Sequence, residues 1–134
     1  MLDQAVEAFD YAVVIKEDYA PGHQQLGKTY LVLGNHEKAI EHLSTYVQQT
    51  RPNAAAYCQI ASCYQNLEKQ DHAREYYKKA LDVNNDHPEA WYGMGITYQK
   101  ELRYQQAIPF LEKAIGLKEE EDYWFALADS YNFL

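Results

Sequence analysis

A period of 34 residues runs along the 134-residue chain and limits its fold more than any other feature of the sequence. Alanine, tyrosine, a small residue and two kinds of aliphatic residue all recur at this step. The columns are Ala5, Ala39, Ala73 and Ala107; Tyr30, Tyr64 and Tyr98; Gly27, Ala61 and Gly95; Leu26, Ile60 and Met94; and Val13, Val47, Leu81 and Ile115. Columns that share one register do not arise by chance, and a period of this length indicates a repeat architecture.

Each repeat reads as two amphipathic helices joined by a turn. The stretch from Trp91 to Tyr98 and the stretch 107–114 both place apolar residues three or four positions apart, which puts them on one helix face. Turn residues fall between such stretches, at Gly34-Asn35, Arg51-Pro52-Asn53 and Asn84-Asn85-Asp86. Pro21 and Pro88 stand where helices are expected to begin, the position at which proline costs least.

These motifs resemble the tetratricopeptide repeat, whose signature is W-x2-L-G-x2-Y followed by A-x3-F-x2-A. The matching residues are Trp91, Met94, Gly95, Tyr98, Ala107, Leu111 and Ala114 in one repeat; Tyr57, Ile60, Ala61, Tyr64, Ala73, Tyr77 and Ala80 in another; and Leu26, Gly27, Tyr30, Ala39 and Leu43 in a third. The third departs at His23, where an aromatic residue belongs, and at Tyr46, where alanine belongs. The resemblance covers the whole chain. It implies an all-α fold, a right-handed superhelical solenoid of antiparallel helix pairs with about eight helices.

We predict a single solenoid domain over 1–134 with a half-repeat at each end. The predicted units are 1–19 (second helix only), the full repeats 20–53, 54–87 and 88–120, and 121–134 (first helix only). The predicted packing residues of the half-repeats are Ala5, Phe9 and Ala12, and Trp124, Leu127, Ala128 and Tyr131. Together the half-repeats have almost the length of one repeat. One hypothesis is therefore that molecules associate head to tail through these half-repeats. The alternative is that the half-repeats are exposed ends that do not contact another molecule.

The resemblance also implies where a partner binds. In this family the first helices line a concave face that holds an extended peptide or a partner helix. The binding residues expected there are Gln24, Gln25, Lys28, Cys58, Gln59, Ser62, Gln65, Asn66, Tyr92, Ile96, Gln99, Lys100, Phe125 and Asp129, within a wider set that adds Leu31, Val32, Glu89, Asp122, Asn132 and Phe133. Amides both donate and accept hydrogen bonds, which suits the backbone of a peptide. The alternative is that these are only solvated polar positions.

Four residues of the repeat 88–120 receive separate expectations. Tyr92 is expected to bind a partner, so that Tyr92→Ala would leave the melting temperature nearly unchanged. Gly93 is expected to leave room between groove residues, and Gly95 to let another helix approach closely. Pro109 is expected to cost stability unless its helix begins late.

Composition and motifs narrow the function classes. The net charge of −8 argues against a nucleic-acid partner, and no stretch is long and apolar enough for membrane insertion. The sequence has no catalytic motif, and His36 and His42 diverge around a helix instead of forming a metal pair, so we expect no enzyme, cofactor or metal site. Cys58 and Cys63 are five residues apart, about 140° around a helix, which suits a disulfide poorly. We expect a cytoplasmic location.

The acidic run Glu119 to Asp122 is read as a solvated cluster at a helix N-terminus, where negative charge is favourable. One subfamily of the repeat grips terminal carboxylates through basic residues at set positions, which correspond here to Gln24, Lys28, Gln59, Glu89 and Gly93. Only Lys28 is basic, and Glu89 would repel a carboxylate, so this activity is disfavoured.

The predicted function is therefore a non-catalytic protein-protein interaction scaffold that binds a peptide or protein segment in the concave groove. Two alternatives stay open. The chain is a targeting or regulatory region of a larger enzyme or of a secretion or assembly complex, or it is a head-to-tail self-assembling module.

Overall fold

The computed structural model describes residues 2–16 and 19–134, which form eight α-helices and contain no strand. Positions 1, 17 and 18 of the predicted half-repeat 1–19 lie outside the described residues. The helices are α1 (Leu2–Ile15), α2 (Ala20–Leu33), α3 (His36–Gln49), α4 (Ala54–Asn66), α5 (Gln70–Val83), α6 (Pro88–Lys100), α7 (Tyr104–Leu117) and α8 (Glu121–Asn132). The predicted all-α fold of about eight helices is confirmed. None of the helices described has the length and apolar character needed to cross a lipid bilayer.

Helices contact their sequence neighbours, as expected for a solenoid. The most extensive contacts join α2 to α3, α4 to α5 and α6 to α7, the three predicted pairs. Contacts between α3 and α4, α5 and α6, and α7 and α8 then stack one pair on the next. In addition α6 contacts both α4 and α8. First helices of successive repeats therefore lie side by side.

Local sequence signals set the helix ends. Pro88 and Pro21 lie in the first turns of α6 and α2, as predicted. The side chain of Asn35 accepts a hydrogen bond from the Lys38 amide at 3.3 Å and so caps α3. The acidic run also lies where it was predicted, with its last two residues in the first turn of α8.

Close packing within a repeat requires a glycine opposite a leucine. A Cβ atom added to Gly95 would lie 2.7 Å from Cδ2 of Leu111, and one added to Gly27 would lie 2.6 Å from Cγ of Leu43. Real Cβ atoms do not approach other atoms so closely, so the glycines allow the two helices of the repeats 20–53 and 88–120 to approach. The predicted role of Gly95 is confirmed.

Gly93 has a different role from the one predicted. It is buried, and an added Cβ would lie 2.2 Å from Cζ of Tyr77. The prediction that Gly93 leaves open space in the groove is wrong, because the space above it holds the Tyr77 ring. Gly93 is thus a packing residue between α5 and α6.

The predicted packing stripe of α8 is only partly buried. Leu127 is buried, but Trp124 is 50% exposed, Tyr131 is 54% exposed and Ala128 is also exposed. The other buried residues of α8 are Tyr123, Ala126 and Ser130, which were not predicted to pack. The reason is that Trp124, Ala128 and Tyr131 correspond to residues that face the second helix of their own repeat, and in the structure α8 packs on α7 and α6 from its other side.

At the other end, α1 packs through one face onto the first full repeat. Val6, Phe9 and Val13 lie against a buried cluster that includes Leu26 and Tyr30. Ala5 and Ala12 are partly buried, in agreement with the predicted register.

Pro109 lies inside a helix that does not begin late. It is the sixth residue of α7, which begins at Tyr104. Because proline has no amide hydrogen, the carbonyl of Gln105 loses its helical hydrogen-bond donor. Both residues are exposed, so water can serve that carbonyl.

Candidate functional site: a groove between α4 and α6

Two adjoining pockets follow the line between α4 and α6. The pocket between their first halves has a volume of about 430 Å³ and is lined by Ala55, Cys58, Gln59, Ser62, Gln65, Tyr77, Glu89, Tyr92, Gly93 and Ile96. The pocket between their last turns has a volume of about 730 Å³ and is lined by Ser62, Gln65, Asn66, Glu68, Gln70, Ile96, Lys100 and Glu101. Ser62, Gln65 and Ile96 line both. The two pockets therefore form one groove, which we call the α4–α6 groove.

Most of the predicted binding residues on α4 and α6 meet in this groove. They are Cys58, Gln59, Ser62, Gln65 and Asn66 from α4, and Tyr92, Ile96 and Lys100 from α6. Helical spacing explains the agreement, because residues three or four positions apart on each helix share one face.

Gln99 does not line the groove. Its amide nitrogen donates to the carbonyl of Ala126 at 2.6 Å and to Oγ of Ser130 at 2.8 Å. These bonds join α6 to α8, so Gln99 holds the first helices of two repeats together.

The remaining predicted residues lie on other helices, outside these two pockets. Gln24, Gln25 and Lys28 lie on α2, where Gln25 and Lys28 are exposed. Phe125 and Asp129 lie on α8, and Phe125 is 71% exposed. A role for them in binding stays a prediction.

Tyr77 of the second helix α5 also lines the groove, which was not predicted. It reaches between the first helices because Gly93 has no side chain. Its hydroxyl donates to Oε1 of Gln65 at 2.5 Å. Burial, and then the nearby Cys58 and Glu89, raise the pKa of Tyr77, so the phenol stays a neutral donor. The signal in the sequence was the pairing of a bulky Tyr77 with a bare Gly93.

Tyr92 both lines the groove and packs. Its ring stacks on Tyr123 of α8 with 4.7 Å between the ring centroids, and it lies against the buried cluster around Leu111 and Leu127. Burial, and then Asp122, raise the pKa of Tyr92. The expectation that Tyr92→Ala leaves stability nearly unchanged therefore has to be revised, because the substitution would remove a stacked aromatic contact.

The groove cysteine is an inert thiol. Cys58 is buried and free, as is Cys63. Burial, followed by the negative charge of Glu89, raises the pKa of Cys58 to about 12. A thiol with such a pKa is protonated at neutral pH and is neither a nucleophile nor a metal ligand in this form.

Carboxylates are found at both ends of the groove. Glu89 lines the first pocket, while Glu68 and Glu101 line the second beside Lys100. The carboxylate of Glu101 is neutralised, because it accepts hydrogen bonds from Arg74 at 2.6 Å and from Arg103 at 3.4 Å. The nearest basic atom to Glu89 is Nε2 of His87, at 3.9 Å.

Comparison with known proteins agrees with this architecture. A family model described as tetratricopeptide repeat matches residues 53–120, and a second with the same description matches residues 20–50. Among curated proteins, the chain is similar to the BBSome complex member BBS4 of Bos taurus, with 29% identity over 113 residues. That match covers 84% of this chain but only 22% of the relative.

Solved structures show the same fold. The crystal structure of MamA superposes with a TM-score of 0.91 at 24% identity, covering 98% of this chain and 77% of that one. The crystal structure of YrrB, described as a tetratricopeptide-repeat protein with an unusual peptide-binding site, superposes with a TM-score of 0.83 at 17% identity. That match covers 98% of this chain and 69% of YrrB.

Proposed function

Since the chain belongs to the tetratricopeptide-repeat family, we propose that it is a non-catalytic interaction scaffold that holds an extended peptide or protein segment in the α4–α6 groove. The observation that carries this proposal is the continuity of the two pockets, which share Ser62, Gln65 and Ile96. Together they provide a channel along two parallel helices, long enough for several residues of an extended chain.

The lining chemistry fits a peptide backbone. Each peptide unit brings one donor and one acceptor that lose water when they are buried, and both need partners. Gln59 and Asn66 offer amides that donate and accept, and Gln65 keeps donors available because its oxygen already accepts from Tyr77. Tyr92 and Ile96 offer apolar surface for a side chain between these polar groups.

Two further considerations support a binding function over a catalytic one. The thiol and phenol of the first pocket, Cys58 and Tyr77, are kept neutral by burial, so neither supplies an activated nucleophile. YrrB shares this fold and is described as having a peptide-binding site. The groove would act in the same way if the chain serves as a targeting or regulatory region of a larger protein.

A selection experiment tests the proposal. Peptides selected from a displayed library on the wild-type chain should bind it, and Ser62→Tyr should weaken them by at least about tenfold, because the new ring would occupy the junction of both pockets. Glu112→Tyr adds the same ring to an exposed position of α7 and is the matched control. Affinity is measured by fluorescence anisotropy, and folding of each variant by circular dichroism. Selected peptides that bind Ser62→Tyr as tightly as the wild type would place binding elsewhere and reject the proposal.

Head-to-tail self-association through α8 and α1 stays a prediction. The exposed Trp124 and Tyr131 offer apolar surface for it. However, α1 has Ala8 at the position where the second helices of the full repeats carry an aromatic ring, and both helices carry acidic side chains. Light scattering over a concentration series checks it, and a mass that stays monomeric would reject it.

A further inference from the structure

We propose that the α4–α6 groove selects a partner segment that carries a lysine or arginine side chain, bound beside the carboxylate of Glu89 and against the ring of Tyr92. This inference rests on the proposed function and adds the chemistry of the partner. It concerns the first pocket, of about 430 Å³, whose lining includes these two residues of α6.

The carboxylate of Glu89 is available to a ligand. Its side chain is 72% exposed, and Nε2 of His87 lies 3.9 Å from it, too far for a strong hydrogen bond. Glu89 lies in the first turn of α6, where a negative charge is favourable to the helix. A cation from a partner can therefore approach it without displacing a direct hydrogen bond.

The negative charge of Glu89 reaches across the pocket. It contributes to the raised pKa values of Cys58 on α4, Tyr77 on α5 and Tyr123 on α8, although burial is the largest cause at each. Asp122 adds a second negative charge beside Tyr92. The ammonium of Lys118 also feels the charge of Glu89, but its hydrogen bond, at 2.8 Å, is to Glu120. A pocket lined by side chains of α4 and α5 that feel the exposed carboxylate of Glu89 favours a positive ligand group.

The ring of Tyr92 provides a second contact for a cation. Its stacking on Tyr123 holds the ring in the lining of the pocket, so little side-chain freedom is lost on binding. A cation held within about 6 Å of a tyrosine face gains roughly 0.5–1 kcal/mol at an exposed site, in addition to any ion pair. Arginine would use both contacts, since its planar group can stack while it donates to a carboxylate.

Lys100, the one basic side chain among the described residues that line the groove, does not cancel this preference. Lys100 lines the second pocket, eleven residues after Glu89 on the same helix. That separation is about 16 Å along the axis, twice the screening length of about 8 Å at physiological salt. A peptide with a terminal carboxylate, which the subfamily with basic binding residues recognises, would instead be repelled by Glu89.

Three labelled decapeptides test the charge preference. One alternates alanine with lysine, and the others replace every lysine by glutamine or by glutamate. We expect the lysine peptide to bind at least about tenfold more tightly than the glutamine peptide in fluorescence anisotropy at 150 mM salt, as expected for an ion pair combined with a cation–π contact. The glutamate peptide should bind least.

Two charge-matched variants separate the pocket from the overall charge. Glu89→Gln should weaken the lysine peptide by about fivefold and leave the glutamine peptide unchanged. Glu112→Gln removes the same charge from an exposed position of α7 and should have less than about a twofold effect. Equal losses in the two variants would show attraction to the net negative surface and would overturn the inference.

The outcomes also separate this inference from the proposed function. Library peptides that bind the wild type and lose affinity in Ser62→Tyr would support a peptide site in the groove. If the lysine peptide then binds no more tightly than the glutamine peptide, or still does so in Glu89→Gln, the groove lacks the proposed selectivity for a basic side chain. If no peptide binds at all, both proposals fail. A circular dichroism melt of Glu89→Gln within about 2 °C of the wild type confirms that the loss is not caused by unfolding.

Discussion

Helices α6 and α8 carry the same stripe of residues but bury different parts of it. In α6, Tyr98 stacks on Phe110 of α7 at 5.4 Å, and the ring of Trp91 lies 6.0 Å from Phe110. In α8, the corresponding Tyr131 and Trp124 are about half exposed. The stripe therefore marks residues that are able to pack against a second helix, and their burial in the structure depends on whether they contact one.

The stacked pair recurs inside every full repeat. The tyrosines Tyr30, Tyr64 and Tyr98 stack on His42, Tyr76 and Phe110 at 5.7, 5.5 and 5.4 Å. The stacking partners are themselves 34 residues apart, although their identities differ. The positions of His42, Tyr76 and Phe110 therefore make the same contact in each full repeat, although their residue types differ. The recurring tyrosines alone did not reveal this contact.

The largest effect should come from removing a tyrosine that has its partner. Tyr98→Ala should lower the free energy of unfolding by roughly 3 kcal/mol, because Tyr98 packs between two buried clusters and lies under the guanidinium groups of Arg74 and Arg103. Tyr131→Ala should cost less than about 0.5 kcal/mol, as at exposed positions in general. Urea unfolding of both variants measures the difference, and equal losses would show that Tyr131 packs in solution.

The second prediction concerns the contact between the second helix of one repeat and the first helix of the next. Tyr77 packs over Gly93, whereas one repeat later Leu111 and Ala126 share a buried cluster. Gly93→Ala should cost about 2 kcal/mol through overpacking against the Tyr77 ring. Adding Tyr77→Leu should recover part of that loss, since the double variant repeats the leucine–alanine combination next to α8. Additive losses in thermal melts would contradict this account.

The smallest effect should be a pH dependence confined to the first full repeat. Nδ1 of His42 lies 3.0 Å from Nδ1 of His23. Burial is the largest cause that lowers the pKa of His42 from 6.5. The charges of Glu41 and Asp10 raise this pKa, and those of His23 and Lys38 lower it further. The unfolded chain then binds the proton more readily than the folded one. Stability should fall as the pH drops below 6.5 and level off below the folded pKa.

A matched variant checks the origin of this effect. His42→Phe reproduces the tyrosine–phenylalanine pair of the third full repeat and removes the titrating group. Its melting temperature should depend less on pH between 7 and 5 than that of the wild type. An unchanged pH profile would assign the dependence to other groups.

Much of the groove was predictable because it depends on helical spacing within α4 and α6. Ser62, Gln65, Tyr92 and Ile96 fall on one face of their helices by register alone. Gln99 lies on the same face by register, yet its side chain donates a hydrogen bond to the Ala126 carbonyl of α8. Whether this carbonyl lies within hydrogen-bond distance depends on how two repeats stack. Tyr77 was missed for the same reason, since its position depends on the space above Gly93.

The sequence by itself determined the repeat, the helix pairs, their ends and the residues able to pack, because periodicity, capping and proline placement act within a few neighbouring residues. Only the tertiary structure decided which residues of the α8 stripe are buried and how Tyr77 packs over Gly93 in the groove. It also decided that the carboxylate of Glu101 accepts hydrogen bonds from two arginines. These outcomes depend on distances between residues far apart in the chain. Such distances follow from the stacking of one repeat on the next, which the pattern within a repeat does not specify.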